Sequence, residues 1–164
     1  MVPMIFSFFK NSRVKVFDKP CIMHSDWICL PPPALISQVA VYCHKRILQR
    51  FHVAVDHKIF NHPNILLFTV CNTSSNSTLS FINQYNNPNR DAMPPLHNCV
   101  PTLLQCLPLV QSLRLCQGDF NLHCSYWDEN LQRDNNLSWE VINALNSVRL
   151  SLVNDESTPT FYRG

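Results

Sequence analysis

Three polar side chains at alternate positions, Asp119, Asn121 and His123, are the residues of this chain best suited to chemistry. They follow an apolar run, residues 113–116, and a glycine, Gly118. On an extended backbone, residues two apart project to the same face, so we expect the carboxylate, the amide and the imidazole to converge on one side. An apolar strand that ends in such a cluster is where open α/β sheets place ligands and catalysis.

Gly118 is one of only two glycines in the chain, and the other is the final residue. Average usage of about 7% would give roughly eleven. A glycine directly before Asp119 in so glycine-poor a sequence predicts a backbone that turns sharply there or is closely approached. The alternative is that Gly118 and Asp119 form only a turn and that Asn121 caps a loop.

The segment Gly-Asp-Phe-Asn-Leu-His, with Tyr-Trp-Asp after it, resembles a motif of the metal-dependent endonuclease/exonuclease/phosphatase superfamily. It is most similar to the endonuclease domain of non-LTR retrotransposon polyproteins, which also carry a reverse transcriptase. Three further segments resemble that domain in the right order: residues 38–46, residues 79–88 with Asn-x-Tyr-x-x-Pro, and residues 154–161 with Asn-Asp and Thr-Pro-Thr-Phe. The resemblance covers residues 27–164 and leaves residues 1–26 as an unassigned leader.

The resemblance implies an α/β fold, a partial two-sheet α/β sandwich of the deoxyribonuclease-I-like type that lacks its terminal strands. It also implies a phosphodiesterase site. Asp119 would orient or deprotonate the attacking water, and Asn121 would hydrogen-bond the scissile phosphate or the water. Tyr85 would contact the phosphate from the neighbouring strand end, Thr160 would support the site from a later strand, and His123 would order the loop. Taken alone, Tyr85 and Thr160 are ordinary strand residues, and only the joint order of the motifs makes them functional.

The same resemblance implies Mg²⁺ or Mn²⁺ as the cofactor, DNA as the partner and Asp119 as a metal ligand. Members of the family use a glutamate near the domain start as the principal magnesium ligand, but residues 1–78 contain no glutamate. The family's Ser-x-x-Asp strand and Ser-Asp-His triplet do not occur before Gly164. A single carboxylate binds a hard cation such as Mg²⁺ only weakly. Catalytic residues that act together lose most of their effect on the reaction rate when one of them is missing.

We therefore expect a fragment of a nucleic-acid endonuclease domain, incomplete at both ends and weakly active or inactive. Whether the chain is an enzyme at all stays open. The first alternative is a non-catalytic remnant that serves as an interaction module. A weaker alternative is a phosphatase of the same superfamily that acts on phosphoinositides or sphingolipids.

Composition is typical of a globular chain, with 46% hydrophobic residues, 15% charged residues and a net charge of +2. The only dense basic cluster is residues 44–46 together with Arg50, and a solvated face explains it better than a phosphate-facing stripe. Eight cysteines without a Cys-x-x-Cys pair favour reduced thiols over zinc, and hence an intracellular protein of the nucleus or the cytoplasm. The apolar start, residues 1–9, is too short to span a bilayer, so we expect no membrane association and no lipid anchor.

Hydrophobic periodicity predicts the elements that must position these residues. Residues 65–70 and 78–85 are predicted to form a hairpin, and Asn136 is predicted to cap a helix that carries Leu137 and Val141. His52, His57 and His62 match no metal motif and are predicted to lie at the surface. The remaining predicted elements are strands at 39–43, 113–116 and 150–153, a helical turn at 47–48 and a helix at 96–107.

Overall fold

The structure, a computed structural model, describes residues 6–10, 25–30, 37–87, 98–126 and 134–151. These residues form a mixed α/β structure with seven strands in two sheets and two α-helices. Short 3-10 helices lie at Ile47–Gln49 and at Leu107–Leu109. The strands are β1 (Phe6–Lys10), β2 (Trp27–Cys29), β3 (Val39–His44), β4 (Phe51–Asp56), β5 (Ile65–Asn72), β6 (Thr78–Tyr85) and β7 (Leu113–Asp119), and the helices are α1 (Val100–Cys106) and α2 (Asn136–Ser147).

The two sheets differ in how their strands run. The first has the order β1-β3-β2 and is antiparallel throughout. The second has the order β4-β5-β6-β7, in which β4, β5 and β6 are antiparallel and β7 runs parallel to β6. Parallel neighbours need a crossover connection, and the chain between β6 and β7 contains α1. The carboxyl ends of β6 and β7 therefore meet at the same edge.

Two apolar layers hold these elements together, one on each face of the second sheet. Because β5 is covered on both faces, Ile65, Leu66, Leu67 and Phe68 are all buried, as in strands at the centre of a sandwich. No helix in the described stretches is both long and apolar enough to cross a bilayer. The layer between the sheets contains Val39, Val41, Cys43, Leu66, Phe68, Val70 and Tyr85, and the layer under the helices contains Phe60, Ile65, Leu67, Ile82, Leu103 and Leu107.

Several predicted elements are confirmed with shifted bounds. The predicted hairpin is present as β5 and β6, and a turn of 3-10 helix lies where a helical turn was expected. The helix predicted at 96–107 begins at Val100, with Pro101 in its first turn, where its missing N–H costs nothing. The cap of α2 is Asn135, one residue earlier than predicted, because its side chain accepts a hydrogen bond from Leu137 N.

Other expectations differ from the structure. The prediction that His62 lies at the surface is wrong, since it is 7% exposed and its Nδ1 accepts a hydrogen bond from Asn64 N. His52 and His57 are exposed, as predicted. Residues 150 and 151 lie outside any strand, and the rest of the predicted strand 150–153 falls outside the described residues. Phe6–Lys10, within the unassigned leader, pairs with β3.

Candidate functional site

Tyr85 and Asp119 are partner residues at the carboxyl ends of β6 and β7. Side chains of paired residues project to the same face of a sheet. Tyr85 belongs to the layer between the two sheets and is 8% exposed, so the half-buried Asp119 also projects to that side. The structure thus brings two of the predicted site residues together at one edge of the second sheet. We call this edge, residues 84–87 with 118–121, the rim.

At Gly118 the backbone of β6 lies too close to β7 to leave room for a Cβ. Gly118 pairs with Gln84 and has a φ of +130°, in the region that favours glycine. An added Cβ would collide with the main-chain oxygen of Gln84 and would lie 2.8 Å and 2.9 Å from its carbonyl carbon and its nitrogen. The close backbone approach predicted from the sequence is therefore confirmed.

Asn86 joins the ends of three elements at the rim. Its main-chain N donates to Asp119 O at 2.8 Å, and its Nδ2 donates to Phe120 O at 2.8 Å. Its Oδ1 accepts from Cys99 N at 3.2 Å, and its main-chain O accepts from Asn121 Nδ2 at 2.6 Å. All four polar groups of this buried residue are used, so Asn86 fixes the end of β6 against β7 and the start of α1. The sequence motif did not identify this role, although it placed Asn86 next to Tyr85.

The backbone stops being extended after Asp119. Asn121 has a φ of +47°, and its N donates to Asp119 Oδ1 at 3.1 Å, the pattern of an Asx turn. The expectation that Asp119, Asn121 and His123 would project to one face as alternate residues of a strand is therefore wrong beyond Asp119. The strand prediction of 113–116 was too short, because β7 stays paired with β6 through Asp119.

His123 contributes its backbone to the loop after the rim. Its carbonyl oxygen accepts from Asn135 N at 2.9 Å and from Ser138 Oγ at 2.8 Å, while its side chain is exposed. Further along the loop, Ser125 N and Ser125 Oγ donate to the Asp134 carboxylate at 2.6 Å and 3.0 Å. These bonds attach the loop to the first turn of α2.

A pair of amides ties the rim to the first sheet. The Asn64 side chain accepts from Gln38 N at 3.1 Å and donates to Gln38 Oε1 at 3.0 Å, and Asn87 Nδ2 donates to the same Oε1 at 3.4 Å. Asn64 O also accepts from Tyr85 N at 3.0 Å. Because Asn64 is fully buried, it holds Tyr85 at a fixed position relative to the start of β3.

Magnesium prefers oxygen ligands, chiefly carboxylates and water, and the rim offers few of them. Asp119 is its one carboxylate, and Asp56, which ends β4 at the same end of the sheet, is at least three strand spacings away, roughly 14 Å. Among the described residues no group of three or more His, Cys, Asp or Glu could hold a metal ion. The donor set described here therefore does not fit a magnesium site. Thr160, Trp127 and Asp128 lie outside the described residues.

Comparisons with known proteins give no family for this chain. A scan against protein-family models, a search of curated proteins and a search of solved structures found no match. The sequence motifs and the geometry of the rim are the features of the molecule that bear on its function.

Two thiols, those of the buried Cys99 and the half-buried Cys116, lie behind the rim on the helix side of the sheet. Cys99 Sγ donates to Gln84 Oε1 at 3.2 Å, and burial raises the pKa of Cys99 to about 12. Burial and the neighbouring Cys99 likewise raise the pKa of Cys116 to about 12. Since the thiolate is the nucleophilic form, these cysteines are structural at neutral pH.

Proposed function

We propose that this chain carries the central part of a nucleic-acid endonuclease domain of the endonuclease/exonuclease/phosphatase type, as found in non-LTR retrotransposons. The observation that carries the proposal is the pairing of Tyr85 with Asp119 at the ends of two adjacent parallel strands. The resemblance assigns the phosphate contact and the water-orienting carboxylate to these two residues. The face-to-face packing of the sheets, with helices on one side, supports a partial sandwich of the deoxyribonuclease-I-like type.

The groups at the rim match parts of phosphodiester hydrolysis. The reaction needs a water that loses a proton and hydrogen bonds to the charge that develops on the phosphate. Asp119 would accept the proton of the water, and the Tyr85 hydroxyl would donate to a phosphate oxygen. Asn121 uses one N–H of its amide on Asn86 O, and its second N–H would reach the phosphate.

The single carboxylate of the rim sets the expected activity. A single acid–base group, without further stabilisation of the charge on the phosphate, provides only a small part of the rate enhancement of such an enzyme. We therefore expect the 164-residue chain to contact DNA at the rim but to cleave it little or not at all. The same observation favours the second candidate function, a non-catalytic nucleic-acid-binding module on the same edge.

The first experiment measures where DNA binds. Hydrogen exchange followed by mass spectrometry, with and without a DNA duplex, should show slower exchange in peptides that contain residues 84–87 and 118–123. Tyr85→Phe and Asp119→Asn should change this protection while leaving the fold intact. Absence of protection at the rim at saturating duplex would overturn the proposal.

The second experiment measures cleavage. Purified protein is incubated with supercoiled plasmid in the presence of Mg²⁺ or Mn²⁺, alongside Asp119→Ala, Asp119→Asn and the control Asp56→Asn. We expect the wild-type protein and both Asp119 variants to match buffer. Metal-dependent nicking that disappears in the Asp119 variants and persists in Asp56→Asn would establish the endonuclease and overturn the expected inactivity. Nicking that no Asp119 variant affects would argue against the rim as the site.

A further inference from the structure

A second surface of the molecule has the composition of a polyanion-binding site. Lys45, Arg46 and Arg50 are all exposed on the connection from β3 to β4, which the 3-10 helix Ile47–Gln49 makes compact. Arg50 N donates to Ile47 O at 3.1 Å, so the connection is a hydrogen-bonded turn. We call these three residues, with Trp27 and His44, the basic turn.

The basic turn lies at the opposite end of the sandwich from the rim. Arg50 O accepts hydrogen bonds from Thr73 N and Thr73 Oγ1, at 3.3 Å and 3.1 Å, which places it beside the loop that follows β5. Tyr85 N instead bonds Asn64 O, just before β5 begins. Because a strand rises about 3.4 Å per residue, roughly 25 Å of β5 separates the two places. The basic turn is thus a separate surface.

Counted over the described residues, the charge at this end of the molecule is positive. Of the five acidic residues in the described part of the chain, Asp119 lies at the rim, Asp56 ends β4 at the same end of the sheet as the rim, Asp134 precedes α2 and Glu140 lies in α2. Only Asp26 lies near the basic turn, where its main-chain oxygen accepts from Lys45 N at 2.8 Å. The described residues near the basic turn therefore carry three positive charges and one negative charge, and the electrostatic potential there favours binding of an anion.

Two aromatic rings lie beside these cations. Trp27 and His44 are cross-strand partners with ring centroids 5.1 Å apart in an edge arrangement, and both are half-buried. His44 Nδ1 accepts a hydrogen bond from Arg46 N at 3.1 Å. The neutral imidazole therefore carries its proton on Nε2, which is a hydrogen-bond donor.

We propose that the basic turn binds the backbone of single-stranded nucleic acid without sequence preference, independently of the rim and of the function proposed for it. Lys45, Arg46 and Arg50 supply charge to successive phosphates, and Trp27 and His44 offer rings on which unpaired bases stack. An anionic membrane is the less suitable partner, because segments that bind acidic lipids cluster about four to eight cations.

The test is the salt dependence of binding to a fluorescently labelled, mixed-sequence single strand, measured by anisotropy. Each phosphate contact contributes about −0.7 to the slope of log K against log salt, so three contacts predict a slope of about −2. The triple variant Lys45→Gln, Arg46→Gln, Arg50→Gln should bring the slope close to zero and weaken binding at low salt at least tenfold.

The matched control removes three other exposed cations. Lys58→Gln, Arg114→Gln and Arg149→Gln in one chain remove the same total charge from exposed positions outside the basic turn, Arg114 lying on β7 at the opposite edge of the sheet from β4, and should leave the slope near −2. Circular dichroism and thermal unfolding check that both triple variants fold.

Three results would overturn the proposal. The first is an unchanged slope in the basic-turn variant, and the second is an equal loss in the control, which would assign binding to net charge alone. The third is stronger binding to vesicles of anionic phospholipid than to the oligonucleotide. A Trp27→Leu variant adds a readout of stacking, since it should weaken binding of the single strand more than binding of a duplex of the same length.

Discussion

Replacing Gly118 by alanine tests whether the contact between β6 and β7 is as close as the structure shows. The glycine has a φ of +130°, which L residues with a Cβ rarely adopt. Its missing side chain leaves room for the Gln84 backbone, whose nitrogen would lie 2.9 Å from an added Cβ. Neither strand can give way without breaking the pairing that places Tyr85 beside Asp119.

The expected loss of stability has two contributions. Holding alanine in a sparsely populated backbone region costs about 1–3 kcal/mol. Separating packed atoms to make room for the Cβ costs about 1–3 kcal/mol more. We therefore expect Gly118→Ala to lower the free energy of unfolding by about 2–6 kcal/mol, a large fraction of the total for a domain of this size.

Urea unfolding followed by tryptophan fluorescence measures this difference by linear extrapolation. Arg114→Ala, an exposed position on the same strand, is the control and should stay within about 0.5 kcal/mol of the wild type. If Gly118→Ala also fell within about 1 kcal/mol of the wild type, the close approach of the two strands would be wrong.

Three further predictions follow from hydrogen bonds and pKa shifts. Asn86→Ala removes the side-chain partners of the buried Cys99 N–H and of the half-buried Phe120 carbonyl, and should cost about 2–4 kcal/mol in urea unfolding. Asn87→Ala removes a long side-chain hydrogen bond, Nδ2 to Gln38 Oε1 at 3.4 Å, and should cost less than about 1 kcal/mol. Burial raises the pKa of Cys99 from 9.0 to about 12, so the stability that its neutral thiol contributes is complete below pH 9.0 and is lost between there and about 12. Cys99→Ser should show a smaller loss of stability between neutral and alkaline pH than the wild type, and the remaining loss belongs to Cys116, whose pKa is likewise raised to about 12. Hydrogen bonds from Ser125 and Trp139 lower the pKa of Asp134 below 3.8, so the contribution of its carboxylate is present above the ordinary pKa of an aspartate and is lost as the pH falls through the lowered value. The Trp139 fluorescence should shift in that acid range, and Asp134→Asn should remove the shift.

The parts of the fold that could be predicted are those that local periodicity determines. The apolar run of β5 and the alternation of apolar and polar residues in β3 predicted these strands and the hairpin, because the side chains of a strand alternate between its two faces. Gly118 could be identified because glycine is rare in this chain, so a glycine directly before Asp119 indicates a backbone position that does not tolerate a side chain. Strand β4 was not predicted, since its residues are mostly half-buried at the edge of a sheet and show no clear alternation.

The parts of the site that could not be predicted depend on partners far along the chain. Asn86 bonds residues 13, 34 and 35 positions away, and no local pattern reports such contacts. His62 is polar by type, so only the fold shows that it is buried and bonded to Asn64 N. The turn at Asn121 could not be predicted, because a Gly-Asp-x-Asn sequence fits a strand end and a turn equally well. The hydrogen bond from Asn121 N to Asp119 Oδ1 in the structure identifies the turn.

The double use of Asp119 decides how its role can be tested. Its Oδ1 accepts the Asn121 N–H that forms the turn, so Asp119→Ala removes a structural hydrogen bond as well as a charge. Asp119→Asn keeps an oxygen acceptor at the same place and removes only the charge and the basicity. If DNA binding or cleavage is retained in Asp119→Asn and lost in Asp119→Ala, it depends on the hydrogen bond that shapes the rim. If both variants lose it, it depends on the carboxylate itself.

Asn86 can only position the rim, because its four polar groups all bond the protein. An effect of an Asn86 substitution on DNA binding is therefore indirect evidence about the site.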